Sequence, residues 1–283
     1  MFFINLDRYI EDKMDKEPII ITMVCNKGGV GRSTTTINVG WELAEMGFKT
    51  LIVDLDAQCN TSMTLANDYV NDIAKSTKNL TSCIGDENGT FHSHKVETRH
   101  PNLDLLGATI LLDETEENMK QQAIPTHILH SKLDEESIKY YDYILFDTPP
   151  SKHSKLLHNA LVLSDYYWYI IGAEDIWALD ARGVMDKVVD SIRRLNSKLM
   201  PLPVLLTKYR SNVIQCQIMK DTCKQEFDNL SGVFETTIRF TTQITRSESK
   251  RMSIFEYDKK QKVADDYFDL TKEMIKYIDN HNN

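Results

Sequence analysis

The chain has 283 residues, of which 41% are hydrophobic and 27% are charged. This composition is sufficient for one substantial core and excludes an intrinsically disordered chain, whose hydrophobic content would be too low for folding. The formal net charge of -9 excludes a protein that coats nucleic acid through overall positive charge, so any contact with nucleic acid has to come from a local basic patch.

The cysteines form an odd set without CxxC spacing, which favours reduced thiols over a disulfide framework or a zinc site. They are Cys25, Cys59, Cys83, Cys216 and Cys223. The N-terminal segment lacks the basic region and the cleavage site of a signal peptide. No window of the chain reaches the roughly 18 uninterrupted apolar residues of a membrane span. We therefore expect a soluble, cytoplasmic protein that does not bind membranes.

Short apolar strands alternate with amphipathic stretches of helix length from Pro18 onward. This pattern predicts the α/β class, with a mostly parallel twisted sheet covered by helices on both faces. We expect an N-terminal extension at 1–17 and a single domain at 18–283. Strands are predicted at Ile19–Val24, Thr50–Asp54, Leu103–Leu106, Tyr143–Asp147, Tyr166–Ile171, Val204–Thr207 and Phe234–Ile238. Helices are predicted at about 33–46, 178–195 and 262–279, with loops and short helices at 63–100 and 111–138.

A glycine-rich segment from Cys25 to Thr34 lies directly between the first predicted strand and the first predicted helix. Its glycines let backbone N–H groups converge on phosphate oxygens, and the helix N-terminus adds its dipole and its unpaired donors. Ser33 is placed to give its hydroxyl to Mg²⁺. The segment therefore predicts a phosphate site.

This segment resembles the deviant Walker A motif KGGxGK[ST] of a family that includes the ParA and Soj partition proteins and the division-site protein MinD. The resemblance implies a P-loop that binds ATP and Mg²⁺ through Lys27, Gly28, Gly29, Val30, Gly31, Arg32, Ser33 and Thr34. It also implies a homodimer with two nucleotides between the subunits, in which Lys27 reaches the phosphates held by the other subunit. A compact cation there stabilises charge as the terminal phosphate bond breaks, so Lys27 is a candidate catalytic residue.

Arg32 stands where the family has its second lysine. Lysine acts on phosphates as a point charge, whereas the planar guanidinium is bulkier and presents its donors in a fixed fork, so the exchange is not conservative. We predict that nucleotide still binds and that hydrolysis is slow or absent. An alternative function follows, namely a hydrolysis-impaired switch in which bound nucleotide controls assembly.

The second predicted strand ends in a motif with two carboxylates. Residues 54–62 are similar to the family's DxDPQGNxT, with Ala57 and Cys59 in place of proline and glycine. The period of two along a strand puts Asp54 and Asp56 on one side of the strand end. The resemblance implies that Asp54 helps to hold Mg²⁺ and that Asp56 is a catalytic residue that positions or activates the attacking water.

The strand at Tyr143–Asp147 begins a third motif, since residues 143–151 closely match the family's YDYIxIDTPPS. The resemblance implies that Asp147 binds Mg²⁺ through water, because Mg²⁺ keeps much of its hydration shell. It also implies a switch that senses the γ-phosphate at Thr148, Pro149 and Pro150. Ligands bind at the carboxyl ends of the strands in an open α/β sheet, so we expect the three motifs to form one site.

The resemblance continues into the C-terminal part of the chain. Thr207 begins a segment like the family's TxYDxRTN and is implied to contact the nucleotide. Residues 239–262 carry seven Lys or Arg against three acids, a local net charge of +4. In ParA-like proteins this region helps to bind nonspecific double-stranded DNA through phosphate contacts, which implies DNA-binding roles for Arg239, Arg246, Lys250 and Arg251. A solvated helix face is the alternative interpretation.

Partition ATPases fit the chain better than other members of the family. Only 18 residues precede the first predicted strand, too few for the helix-turn-helix domain of the long partition proteins. The C-terminal helix is acid-rich, unlike the basic membrane helix of MinD. We therefore predict a ParA-type plasmid or chromosome partition ATPase, associated with the nucleoid and stimulated by a ParB-like centromere-binding partner. The remaining alternative is a regulator of conjugation or of surface-polymer export on the same fold.

Overall fold

The structure is a computed structural model that describes residues 17–25, 27–119, 121, 124–175, 179 and 182–281. The N-terminal extension expected at 1–17 lies outside the described residues except for Glu17. Within the described ranges, no helix combines the length and the apolar character that crossing a bilayer requires.

The centre of the molecule is a sheet whose interior strands are buried along their whole length. Its strands are β1 Ile19–Val24, β2 Thr50–Asp54, β3 Val96–Glu97, β4 Leu103–Leu106, β5 Tyr143–Asp147, β6 Tyr166–Gly172, β7 Met200–Pro201 and β8 Leu205–Thr207. They lie in the order β3-β4-β2-β5-β1-β6-β7, and β8 also pairs with β6. β3 runs antiparallel to β4, whereas the pairs of β1, β2, β5 and β6 are parallel. Parallel strands need cover on both faces, which explains their continuous apolar sequences. The predicted α/β class with a mostly parallel sheet is confirmed.

The strand predicted at Phe234–Ile238 is wrong. This segment makes isolated bridges beside its ends, between Val204 and Val233 and between Tyr209 and Arg239. The backbone N–H groups of residues 235 and 236 donate instead to the carboxylate of Glu273 in the C-terminal helix, at 2.8 and 3.0 Å. A side chain therefore takes the donors that a continuous ladder would use.

The helices cover the sheet and fill the connections between its strands. They are α1 Arg32–Glu45, α2 Asn60–Leu65, α3 Leu80–Gly85, α4 Phe91–His94, α5 Leu112–Met119, α6 Ile128–Lys132, α7 Glu135–Tyr140, α8 Lys155–Leu163, α9 Arg182–Arg193, α10 Ile214–Phe227, α11 Thr242–Ser249, α12 Ile254–Asp258 and α13 Lys262–His281, with a π-helix at Tyr69–Ala74. The helices predicted at 33–46 and 262–279 are α1 and α13. The one predicted at 178–195 corresponds to α9, and its predicted start lies partly outside the described residues.

Alternate residues of β1 face two different parts of the core, as the period of a strand requires. Ile21 belongs to the core under α1 and α13, and Ile20 to the core on the opposite face. In α13, Met274 and Ile278 are fully buried, whereas Phe268 is 41% exposed. The C-terminal helix is therefore part of the core, although Phe268 does not belong to its buried face.

Candidate nucleotide-binding site

The glycine-rich loop leads from the end of β1 into the first turn of α1. Gly31, the residue before the helix, has a φ of 89°, and Gly29 has a φ of 77°, values that glycine adopts without strain. Among the described residues, no side chain caps this helix end, so its first backbone N–H groups and its dipole are directed towards the loop. The loop and the helix end line an open cavity of about 480 Å³, which we call the phosphate cavity. This arrangement is suited to binding phosphate.

The guanidinium of Arg32 is buried between two acidic motifs. Its Nε donates to Oδ1 of Asp147 at 2.8 Å, and its Nη2 donates to Oδ2 of Asp56 at 2.9 Å. Its Nη1 lies 3.2 Å from Sγ of Cys25. Burial alone would lower the pKa of Arg32, but the carboxylate of Asp147 and other neighbours raise this pKa above its ordinary value. Arg32 is therefore a permanent positive charge at the carboxyl edge of the sheet.

The carboxylates of Asp54 and Asp147 are neighbours on the paired strands β2 and β5. Both are fully buried. Oδ2 of Asp54 accepts hydrogen bonds from the backbone N and the Oγ of Ser62, at 2.9 and 2.7 Å. Oδ2 of Asp147 accepts from Oγ1 of Thr61 at 2.6 Å. Burial, followed by the nearby Asp147, raises the pKa of Asp54 to about 7. The first turn of α2 thus holds both carboxylates in place.

The residue types at the predicted metal site suit Mg²⁺, which prefers carboxylate, hydroxyl and water oxygens. Their positions do not suit a shared metal ion. One oxygen of Asp147 is bonded to Arg32 and the other to Thr61, and both oxygens of Asp54 accept hydrogen bonds from elsewhere in the chain. Ser33 lines the phosphate cavity from the first turn of α1. The arrangement therefore does not fit a magnesium ion coordinated by both aspartates.

Lys27, which is expected to reach across a dimer, forms an ion pair within its own chain. Its Nζ lies 2.9 Å from Oδ2 of Asp175, beyond the end of β6. The Lys27 side chain is 60% exposed and that of Asp175 is 14% exposed. Water screens a pair that is this open, so it contributes about 1 kcal/mol to stability at most. Lys27 can therefore exchange Asp175 for another anion at little cost.

The hydroxyls of two threonines hold β1 and the loop that follows it. Oγ1 of Thr207, at the end of β8, donates to the carbonyl oxygen of Val30 at 2.5 Å. Oγ1 of Thr148 donates to the carbonyl oxygen of Met23 at 2.6 Å. Nearby, Pro150 lines the phosphate cavity. The predicted switch therefore begins with a residue that is tied to the strand leading into the phosphate loop.

A smaller cavity of about 280 Å³ adjoins the phosphate cavity, and Gly31 and Thr34 line both. Its other walls come from Thr207 and from the segment at 238–241. Glu248 of α11 also lines both cavities, and its Oε1 accepts from Oγ1 of Thr34 at 2.6 Å. The two cavities therefore share walls made by the glycine-rich loop, the start of α1 and Glu248.

The four basic residues predicted to bind DNA have different surroundings. Arg246, Lys250 and Arg251 are exposed on α11 and directly after it, and we call these three residues the basic patch. Arg239 instead donates from Nε and Nη2 to the carboxylate of Asp266, at 2.7 and 2.5 Å. Arg239 is thus paired with an acid of α13, although its side chain is 44% exposed.

Several residues of this site were not singled out by the sequence. Thr61 lies within the second motif, so its place in that motif was a usable signal. Asp175 follows a strand but belongs to none of the motifs. Glu248 gave no signal, because its partner Thr34 is 214 residues away in the chain.

The chain is similar in sequence and in fold to known partition proteins. A family model described as an AAA domain matches residues 19–201. The sporulation initiation inhibitor protein Soj of Bacillus subtilis is 31% identical over 261 residues, which cover 90% of this chain and 97% of Soj. The chromosome partitioning protein ParA of Caulobacter vibrioides is 29% identical over 268 residues, which cover 93% of this chain and 96% of ParA.

Among solved structures, a putative plasmid partition protein from Borrelia burgdorferi bound to AMPPNP has a TM-score of 0.73 and 25% identity. The match covers 93% of this chain and 98% of that one. Both the sequence and the parallel sheet with its glycine-rich loop therefore lead to the same family. The chain belongs to the ParA/Soj family of partition ATPases, which have the P-loop fold.

Proposed function

We propose that this protein is an ATP-dependent partition ATPase that binds nonspecific double-stranded DNA as a homodimer and is stimulated by a ParB-like centromere-binding protein. The observation that carries the proposal is the uncapped N-terminus of α1 at the phosphate cavity, with Asp56 at the same cavity. The AMPPNP bound by the Borrelia relative supports ATP as the ligand. Magnesium is proposed as the cofactor of hydrolysis, and Ser33 is the loop hydroxyl that suits it.

The exposure of Lys27 supports the dimer. Its side chain forms a solvent-screened pair with Asp175. The phosphates of a nucleotide in a second subunit carry more negative charge than one carboxylate. Exchange of Asp175 for those phosphates would favour a closed dimer in the presence of nucleoside triphosphate.

The basic patch supports nonspecific DNA binding. Its three side chains are exposed in a chain whose formal net charge is -9, so they provide the local positive charge that phosphate contacts require. Glu248 lies on the same short helix and is hydrogen-bonded to Thr34 of the phosphate loop. Through this contact, a nucleotide bound at the phosphate loop would affect the orientation of α11.

The position of Arg32 favours slow hydrolysis, and with it the second candidate function, a nucleotide-dependent switch with little turnover. Nη2 of Arg32 donates to Oδ2 of Asp56. Asp56 carries the carboxylate that is proposed to position or activate the attacking water. An oxygen that accepts a hydrogen bond from the guanidinium is less available to a water molecule.

Light scattering with ATP or ADP, with and without DNA, tests the proposed function. We expect ATP to double the mass of the native protein and DNA to bind the resulting dimer. The variant Lys27→Ala is expected to remain monomeric with ATP, whereas Lys78→Ala, a matched change at an exposed lysine outside the cavity, is expected to dimerise. A native protein that stays monomeric with ATP, or a Lys27→Ala variant that dimerises fully, contradicts the proposal.

A further inference from the structure

The guanidinium of Arg32 contacts both acidic motifs and the phosphate cavity. Among the described residues it donates from Nε to Asp147 and from Nη2 to Asp56, at 2.8 and 2.9 Å, and Nη1 lies 3.2 Å from Sγ of Cys25. A guanidinium has five N–H donors, so these contacts leave one donor on each terminal nitrogen. Because Arg32 also lines the cavity, one side chain joins the carboxylates to the place where phosphates would bind.

The buried carboxylate of Asp147 holds Arg32 in this position when an anion enters the phosphate cavity. Asp147 is fully buried, and its two oxygens are bonded to Arg32 and Thr61. Withdrawal of the guanidinium would leave the charge of Asp147 without its cation in the protein interior. This penalty is greater than the gain from a hydrogen bond to a phosphate that faces solvent. Arg32 is therefore expected to contact a bound phosphate while it remains paired with Asp147.

We propose that Arg32 takes the bridging position of a divalent cation, so that the protein binds the phosphates of a nucleoside triphosphate with little dependence on Mg²⁺. The inference rests on the proposed nucleotide function and extends it, because it concerns affinity rather than turnover. A guanidinium presents parallel donors that suit both carboxylate and phosphate oxygens. Arg32 thereby links Asp56 and Asp147 to the phosphates, with one positive charge instead of two.

Lysine at position 32 provides the contrast. It keeps the positive charge but presents a compact ammonium instead of a planar fork, so it does not reproduce the paired contacts to Asp56 and Asp147. The variant Arg32→Lys therefore leaves carboxylate oxygen for a hydrated magnesium ion. Arg193→Lys is a matched control, because Arg193 lies on α9 outside the cavity and its Nε donates to the carbonyl oxygen of Leu199.

The test is equilibrium binding of a fluorescent ATP analogue in the presence of excess Mg²⁺ or of EDTA, with thermal melting to verify that each variant is folded. We expect the affinities of the native protein and of Arg193→Lys to differ by less than about threefold between the two conditions, and that of Arg32→Lys to rise at least about tenfold with Mg²⁺.

Equal magnesium dependence of the native protein and Arg32→Lys overturns the inference but leaves the proposed function standing. The same holds if magnesium raises the affinity of the native protein about tenfold or more. Failure of the native protein to bind the analogue under either condition overturns the inference and the proposed function together.

Discussion

Nε of Arg32 donates to Oδ1 of Asp147 over 2.8 Å, and the two residues are 115 positions apart in the chain. The bond joins the first turn of α1 to the end of β5, which pairs with β1 in the sheet. Since Asp147 is fully buried and Arg32 is 7% exposed, solvent does not screen the pair. We therefore expect the same interaction to affect folding, nucleotide affinity and turnover.

Removal of the positive charge at position 32 is expected to destabilise the fold. The variant Arg32→Gln leaves the buried Asp147 without its cation, which is expected to lower the free energy of unfolding by about 3–5 kcal/mol. Adding Asp147→Asn to Arg32→Gln is expected to restore part of this loss, because the unpaired charge is then absent. Urea denaturation at neutral pH measures both effects, with Arg193→Gln as control. A loss for Arg32→Gln no greater than that of the control would contradict the prediction.

A change at position 32 that keeps the positive charge is expected to raise the rate of ATP hydrolysis. The variant Arg32→Lys restores the family's residue and releases Asp56 from the guanidinium fork, so DNA-stimulated ATP hydrolysis is expected to rise at least about tenfold. Phosphate release with ATP, Mg²⁺ and DNA measures this rate. The prediction fails if the native protein is as fast as Arg32→Lys, or faster.

Asp54 is expected to make stability depend on pH. Burial and the nearby Asp147 raise its pKa to about 7 in the folded protein, whereas an unfolded chain gives about 3.9. The folded state therefore holds a proton that the unfolded state releases, and the stability that this provides is present below about pH 4 and lost as the pH rises through about 7. The slope is at most about 1.4 kcal/mol per pH unit.

The variant Asp54→Asn isolates this contribution, because other groups with raised pKa values, such as Glu42, remain in both proteins. The free energy of unfolding, measured by urea denaturation across this pH range, should fall with rising pH more steeply in the native protein than in Asp54→Asn. Parallel pH profiles of the two proteins would show that Asp54 does not titrate as described.

The basic patch is expected to account for DNA affinity. Changing Arg246, Lys250 and Arg251 together to Glu should weaken binding of the ATP-bound protein to nonspecific DNA by at least about tenfold and flatten its dependence on salt, because fewer counterions are released. The control changes Lys75, Lys78 and Lys276 to Glu, which alters net charge equally at exposed positions outside the patch. Fluorescence anisotropy over a salt series measures both variants. Equal losses would indicate an effect of net charge alone.

Local patterns were sufficient to predict most of the sheet. The strands at Ile19–Val24, Thr50–Asp54, Leu103–Leu106 and Tyr143–Asp147 have the predicted bounds, because a strand buried on both faces has a continuous apolar sequence. The helix α10 was missed, although its buried residues Cys216, Met219, Cys223 and Phe227 have helical spacing. The segment at 234–238 has a strand-like sequence, but Glu273 from a distant helix accepts the hydrogen bonds of two of its backbone N–H groups, those of residues 235 and 236.

The sequence by itself determined the α/β fold, the phosphate loop before α1 and the order of the three motifs at strand ends, since each depends on neighbouring residues or on the direction of a strand. Only the tertiary structure decided what Arg32 contacts. Its partners Asp56 and Asp147 follow β2 and end β5, and the register of β1, β2 and β5 brings them to the start of α1. A motif specifies which residue types are present, whereas the pairing of distant buried charges depends on how the strands are aligned.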